Sequence, residues 1–310
     1  MKQLWGQGGW REWLGFASAA AVTALLFSAS GSVFAQATTG ITVTKHNLGS
    51  NSAATNNRVS AADTAEVCVF CHTPHGGSTT APAPLWNKRL GLAGAPPGGG
   101  TYITYAQLNT PSTDGVILPV GSISVACLSC HDGSQAMDNI INAPGSGGIT
   151  VDGGGNAGLG YTWTSPGGTV NAAGALISGA ALIGTDLSND HPIGIQYCGG
   201  GLSGLAATLS GTCRDTDFVL PQTAASNTGQ VFWVDTGGTG RQRTDLPLYT
   251  RDFGAGAGNG VGPSVECGSC HDPHVSTGQA GPAGTGRTSG ATFLRISNAS
   301  SAVCTACHVK

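Results

Sequence analysis

Apolar residues in this chain fall into one long run and a few short ones. Trp13 through Phe27 is apolar and free of charge, Lys2 and Arg11 precede it, and Val33-Phe34-Ala35 follows in the A-x-A manner. That order predicts a secretory signal peptide over residues 1–35, cleaved before Gln36. An uncleaved membrane anchor is the alternative, but the apolar core is short for a span of about 20 residues. No later run has transmembrane length. Gln230–Asp235 (QVFWVD) meets a Thr-Gly-Gly-Thr-Gly segment and then residues 241–250. This predicts a short hairpin or pair of strands. The Gly-rich tracts Gly98–Gly100 and Asp152–Gly160 read as loops.

Composition sharpens the picture. Only 9% of the residues are charged, against about 25% in an ordinary globular chain. Glycine numbers 51 of 310, well above the usual share of roughly 7%. A Gly-rich chain loses much entropy on folding, and large apolar side chains are sparse. Either such a chain is disordered, or something other than side chains fills its core. Thirteen Lys and Arg stand against 16 Asp and Glu, so no basic patch points to nucleic acid.

The cysteines decide between these. Eight of the ten form four C-x-x-C pairs, each followed at once by His. They are Cys68/Cys71-His72, Cys127/Cys130-His131, Cys267/Cys270-His271 and Cys304/Cys307-His308. C-x-x-C-H is the attachment signature of c-type haem. Two thiols three residues apart lie on one side of a helical turn and can add to the two vinyl groups of one haem, while the next imidazole reaches the iron. Zinc sites and redox disulfides also use C-x-x-C, but neither requires His after the second Cys four times in four. The sequence therefore predicts four covalently bound haem c groups, with short helical turns at the motifs. The remaining pair, Cys198 and Cys213, is expected to form a disulfide, since export permits one.

Eight histidines match the eight axial positions of four haems. His72, His131, His271 and His308 are the proximal candidates, and His46, His75, His191 and His274 the distal ones. Met137 is the only methionine beyond the signal segment, so at most one haem could be His/Met. Full His/His ligation leaves no open site and favours electron transfer over catalysis. His72-Thr-Pro-His75 and His271-Asp-Pro-His274 each place a second His too close in sequence to reach the far face of its own haem. His75 is therefore assigned to the Cys127/Cys130 haem and His274 to the Cys304/Cys307 haem. His46 and His191 are left for the Cys68/Cys71 and Cys267/Cys270 haems. Lys88-Arg89 and Arg241-Gln-Arg243 read as solvated or propionate-pairing charges, and Trp86, Trp163 and Trp233 as packing residues.

The motifs occur as two pairs, within 68–131 and 267–308, separated by a Gly-rich insertion 132–266. Loops this long normally argue against a compact domain. Haems remove the objection, because each is a large apolar plate anchored at several points. The expected fold is mostly irregular coil in one haem-stapled domain over 36–310, with short helical turns and a few short β-strands.

Lys45-His46-Asn47-Leu48, Cys71-His72-Thr73-Pro74-His75, Asn189-Asp190-His191-Pro192 and Cys270-His271-Asp272-Pro273-His274 carry a resemblance. The chain resembles the multihaem c-type cytochromes with doubled C-x-x-C-H motifs, and among them the tetrahaem cytochromes that polymerise into extracellular filaments. That resemblance implies a continuous row of haems and a homopolymer, with a histidine of one subunit completing a haem of the next. His46 and His191 are the positions it singles out for that role. The expected function is electron transfer, as a secreted filament subunit or as a soluble periplasmic carrier. Its partners would be copies of itself, other redox proteins or extracellular acceptors, with no membrane span after cleavage. The chain is not expected to be an enzyme. A multihaem reductase with one open haem is the competing class, and a subunit of a larger electron conduit is a third.

Overall fold

A computed structural model describes residues 41–52, 57–79, 81–90, 96, 100–110, 113–145, 158–203, 211–227, 229–255, 260–274, 293–296 and 298–309. The signal segment and most of both Gly-rich tracts (Gly98, Gly99 and residues 152–157) lie outside the described residues.

Coil and turn dominate, as the composition implies. The longest helix, α1, is Ser122–His131 and carries the second motif. Two single-turn helices carry the third and fourth: α2, Cys267–Cys270, and α3, Ala302–Cys307. No described helix is long and apolar enough to cross a membrane.

The strands are antiparallel. Strand β1 (Arg58–Val59) pairs with β2 (Trp163–Thr164). β4 (Leu202–Ser203) pairs with β5 (Thr212–Cys213). The main sheet has the order β3-β9-β8-β7-β6, built from Ile195–Gln196, Val261–Val265, Leu246–Asp252, Gly229–Val234 and Gln222–Ser226. The expected hairpin is its centre: Phe232 faces Leu248 and Val234 faces Leu246 across β7 and β8. All four of these side chains are buried. The flanking strands were not expected. Gln222–Ser226 lacks large apolar residues, and Pro263 interrupts Val261–Val265, which are features that argue against a strand.

The largest apolar cluster lies against this sheet. Tyr197, Cys198, Leu202, Cys213, Phe232, Val234, Leu246 and Leu248 form it, with Phe218, Ile296 and Cys307 packed alongside. Cys198 and Cys213 are joined by the expected disulfide within this cluster. The other apolar clusters are smaller, such as Val59, Val69, Phe70 and Ile140. Met137 is buried with Val170 and Leu176, beside Cys130.

One expectation fails outright. Lys88 was read as a solvated or propionate-pairing charge, but it is completely buried (0% exposed). Its ammonium donates to the carbonyls of Ala136, Met137 and Asn139 at 2.9, 3.1 and 3.4 Å. Arg89, next to it, is exposed. Arg241 is also exposed and lies 5.6 Å over the Trp233 ring.

Candidate functional site

Each C-x-x-C-H motif closes one helical turn. The amides of His72, His271 and His308 donate to the carbonyls of Cys68, Cys267 and Cys304 at 2.7, 3.0 and 2.9 Å. The Cys127/Cys130-His131 motif ends α1, with His131 still in the helix, whereas His271 and His308 are extended just past theirs. That turn sets both thiols on one side and the imidazole just beyond them. In the third motif the spacer Gly268 is required by its surroundings. A Cβ there would sit 2.3 Å from the Tyr249 hydroxyl oxygen.

Thiols of successive motifs influence one another in chain order. Burial pushes the Cys71 thiol up to about 12, with the Cys130 thiol adding to the rise and the Lys88 charge opposing it. Cys127 shares a hydrogen bond with Cys267, which raises Cys127 together with burial and lowers Cys267. Burial raises Cys270 to about 11, and Cys304 is near enough to contribute. Burial likewise takes Cys307 to about 12, with Cys270 adding. The second and third motifs therefore touch at Cys127 and Cys267, the first lies within electrostatic range of the second, and the fourth within that of the third.

A polar joint fixes the middle contact. Ser124 of α1 donates to Glu266 Oε2 at 2.6 Å and accepts from the Cys267 amide at 3.0 Å. Glu266 is buried beside Arg251, 3.2 Å away.

The imidazoles are held through Nδ1. His72 Nδ1 lies 2.7 Å from the Pro84 carbonyl and His131 Nδ1 2.7 Å from that of Ala181. His191 Nδ1 is 3.0 Å from the Pro192 carbonyl, and His46 Nδ1 is 3.4 Å from that of Pro273. His274 Nδ1 is 3.1 Å from Asp272 Oδ1. Burial works against the Asp272 carboxylate, but the His274 ring and amide and the Arg295 guanidinium outweigh it and lower its pKa to about 2. Carbonyl and carboxylate oxygens only accept, so Nδ1 is the donor in each of these bonds, and in a neutral ring Nε2 then carries the lone pair. This is the tautomer fixing that orients histidine ligands of metals. Burial also lowers the pKa of His46 to about 4, with His131 adding, and lowers His131 and His191. These rings are neutral at pH 7, as a metal ligand must be.

The histidine rings lie beside one another in pairs that sequence spacing does not indicate. His46 lies 6.0 Å from His131, ring centre to ring centre, with the planes at 88°. His72 lies 6.0 Å from His274 at 17°. His308 is close enough to His191 to help depress it. So the His46 ring lies beside His131 of the second motif, and the His274 ring beside His72 of the first. The His46 bond to the Pro273 carbonyl accounts for this, because it brings the 271–274 turn to the first two motifs. His75 and His271 are both exposed.

Sequence reasoning had no signal for the Nδ1 acceptors or for the Ser124–Glu266 joint, since both rest on contacts remote in sequence. Among the described residues, no group of three or more His, Cys, Asp or Glu is arranged to hold a bare metal ion. No protein-family profile and no curated protein matches this chain.

Proposed function

We propose that this chain is a c-type cytochrome that carries four haems in a row and passes electrons along them. The observation that carries the proposal is the set of four C-x-x-C-H turns drawn together, Cys71 packed with Ala126 of the helix that bears the second motif, and that helix tied to the third through Ser124, Glu266 and the Cys267 amide. Groups attached at these thiols would be neighbours.

The histidine geometry fits that cofactor. A metal–imidazole bond is roughly 2 Å long, so two imidazoles on opposite sides of one ion have centres about 6 Å apart. The His46–His131 and His72–His274 separations match this value. Haem supplies four nitrogens of its own and asks the protein for two ligands, which suits histidine pairs. A structural zinc site asks for about four protein ligands. The bound haem supplies the redox chemistry. The chain supplies thiols, oriented neutral imidazoles and a cover of protein.

On this reading His131/His46 and His72/His274 would hold two of the haems, with His308, His191, His271 and His75 left to serve the others. His75, His191, His271, His274 and His308 all reach the surface, so a second copy of the chain could supply a ligand to the outer haems of a homopolymer.

Intact mass and visible spectra of the exported protein test the proposal. Four added haems and a low-spin ferric spectrum are expected. A haem-free mass, or stoichiometric zinc, would overturn it. Carbon monoxide binding to the reduced protein would support the reductase class instead. Electron microscopy separates the two forms of the reading: a regular filament supports the polymer, and single particles with four low-spin haems support the soluble carrier.

A further inference from the structure

Burying an ammonium group is costly unless dipoles or a counter-charge replace its water. Lys88 is fully buried and has no ion-pair partner within 4.0 Å among the described residues. Its three donors all go to backbone carbonyls, of Ala136, Met137 and Asn139. Asp138 belongs to the same turn but directs its carboxylate to the Tyr161 amide, at 3.0 Å.

The position of this charge is set from both sides. The Asn87 amide donates to the Cys71 carbonyl at 2.8 Å, and the Asn87 side chain donates to the Val69 carbonyl at 2.6 Å. Lys88 itself bridges to Ile140, and the Ile141 amide donates to the Asn87 carbonyl at 2.8 Å. The backbone at Asn87 and Lys88 is thus held between the first attachment turn and the segment that follows the second, and the ammonium is anchored on that segment. The Cys71 thiol feels its charge.

A staple alone would not need the charge, since well-packed apolar residues often replace buried ions at no loss of stability. A fixed positive charge in a low-dielectric interior acts over several ångströms, and it favours adding an electron nearby. We infer that Lys88 is a built-in positive charge that raises the reduction potential of the haem on Cys68 and Cys71, making that haem the preferred resting place for an electron in the first pair. This rests on the reading of Cys68–His72 as a haem attachment turn.

The test is a redox titration of the haem-loaded full chain, comparing the natural protein with Lys88→Met, Lys88→Arg and Arg89→Gln. Lys88→Met should shift one reduction equilibrium at least about tenfold toward the oxidised form, which is about 59 mV for one electron. The potential that moves should be the one missing from a Cys68→Ala/Cys71→Ala variant. Lys88→Arg, which keeps the charge, should stay near the natural value. Arg89→Gln removes a charge next door but in water, and should shift it far less. If Lys88→Met does not fold, Lys88→Gln keeps donors for the carbonyls without the charge and should show the same fall. Unmoved potentials in the neutral variants, or an equal shift in Arg89→Gln, would overturn the inference. A natural protein without four haems would instead overturn the reading beneath it.

Discussion

Around the main sheet, Tyr197, Phe232, Val234, Leu246 and Leu248 pack into one apolar cluster, tied by the Cys198–Cys213 disulfide. In the first motif region, residues 57–145, the apolar clusters are smaller. Much of the deep interior there is polar: Asn87, Lys88, Gln135, Asp138 and Asn139 are all buried. The sheet region thus holds a side-chain core of its own, while the motif region spends its side chains on backbone groups of irregular segments. A chain with few large apolar residues has concentrated them at the sheet, with Cys307 of the fourth motif packed alongside. The motif region is left to be completed by something else.

Removing the attachment thiols breaks this comparison most directly. In a chain with all eight motif cysteines changed to Ala and Cys198/Cys213 kept, the sheet should persist and the motif region should open. Hydrogen exchange measures it. Amides of β7 and β8 should remain protected, while those of Asn87 and Ile141 should exchange at least about tenfold faster than in the haem-loaded protein. Equal loss in both regions would mean that the sheet has no independent core.

Glu266 joins the two regions through Ser124, Arg251 and Ser264. Glu266→Ala leaves Arg251 without its partner, and its expected cost is about 3 kcal/mol in denaturant unfolding. Burial raises the Glu266 pKa above the ordinary 4.5, against the pull of Ser124 and Arg251. The folded chain therefore binds this proton more tightly than the unfolded chain. The contribution is full below pH 4.5 and falls as pH rises through the raised value. Glu266→Gln should flatten that part of the stability–pH curve.

Opening the disulfide should act on the sheet region alone. Its loop spans 15 positions, for which chain entropy predicts a loss of about 3 kcal/mol. Cys198→Ala/Cys213→Ala should show that loss in β7 and β8 protection and leave the spectra of all four haems unchanged. A change in any haem spectrum would show that the regions are not separable.

What the sequence made legible follows the same division. The motif turns, the hairpin at 230–250 and the Cys198–Cys213 pair are local or chemically marked, and each was readable. Strands β3, β6 and β9 were not, because pairing across the sheet overrides weak local propensity in QTAAS and VGPSV. Nor was the histidine pairing: His46 and Pro273 are 227 positions apart, and spacing carries no information about such a bond. Lys88 was misread for the same reason. Next to Arg89 it resembles any surface cation, and its partners are carbonyls 48 to 51 positions away, which every residue type possesses.

Asn87 offers the finest test of the polar interior. Its amide nitrogen donates to the Val69 and Asn142 carbonyls at 2.6 and 3.0 Å, and its oxygen accepts from the Asn142 amide at 2.9 Å. The residue is 0% exposed. Asn87→Ala strands three backbone groups, and the haem-loaded protein should lose about 2 kcal/mol after partial relaxation. Asn87→Leu restores the volume but not the hydrogen bonds. If polar pairing holds this region, Leu should be no better than Ala. If Leu recovers most of the loss, packing governs the motif region as it does the sheet, and the contrast between the two is one of residue type alone.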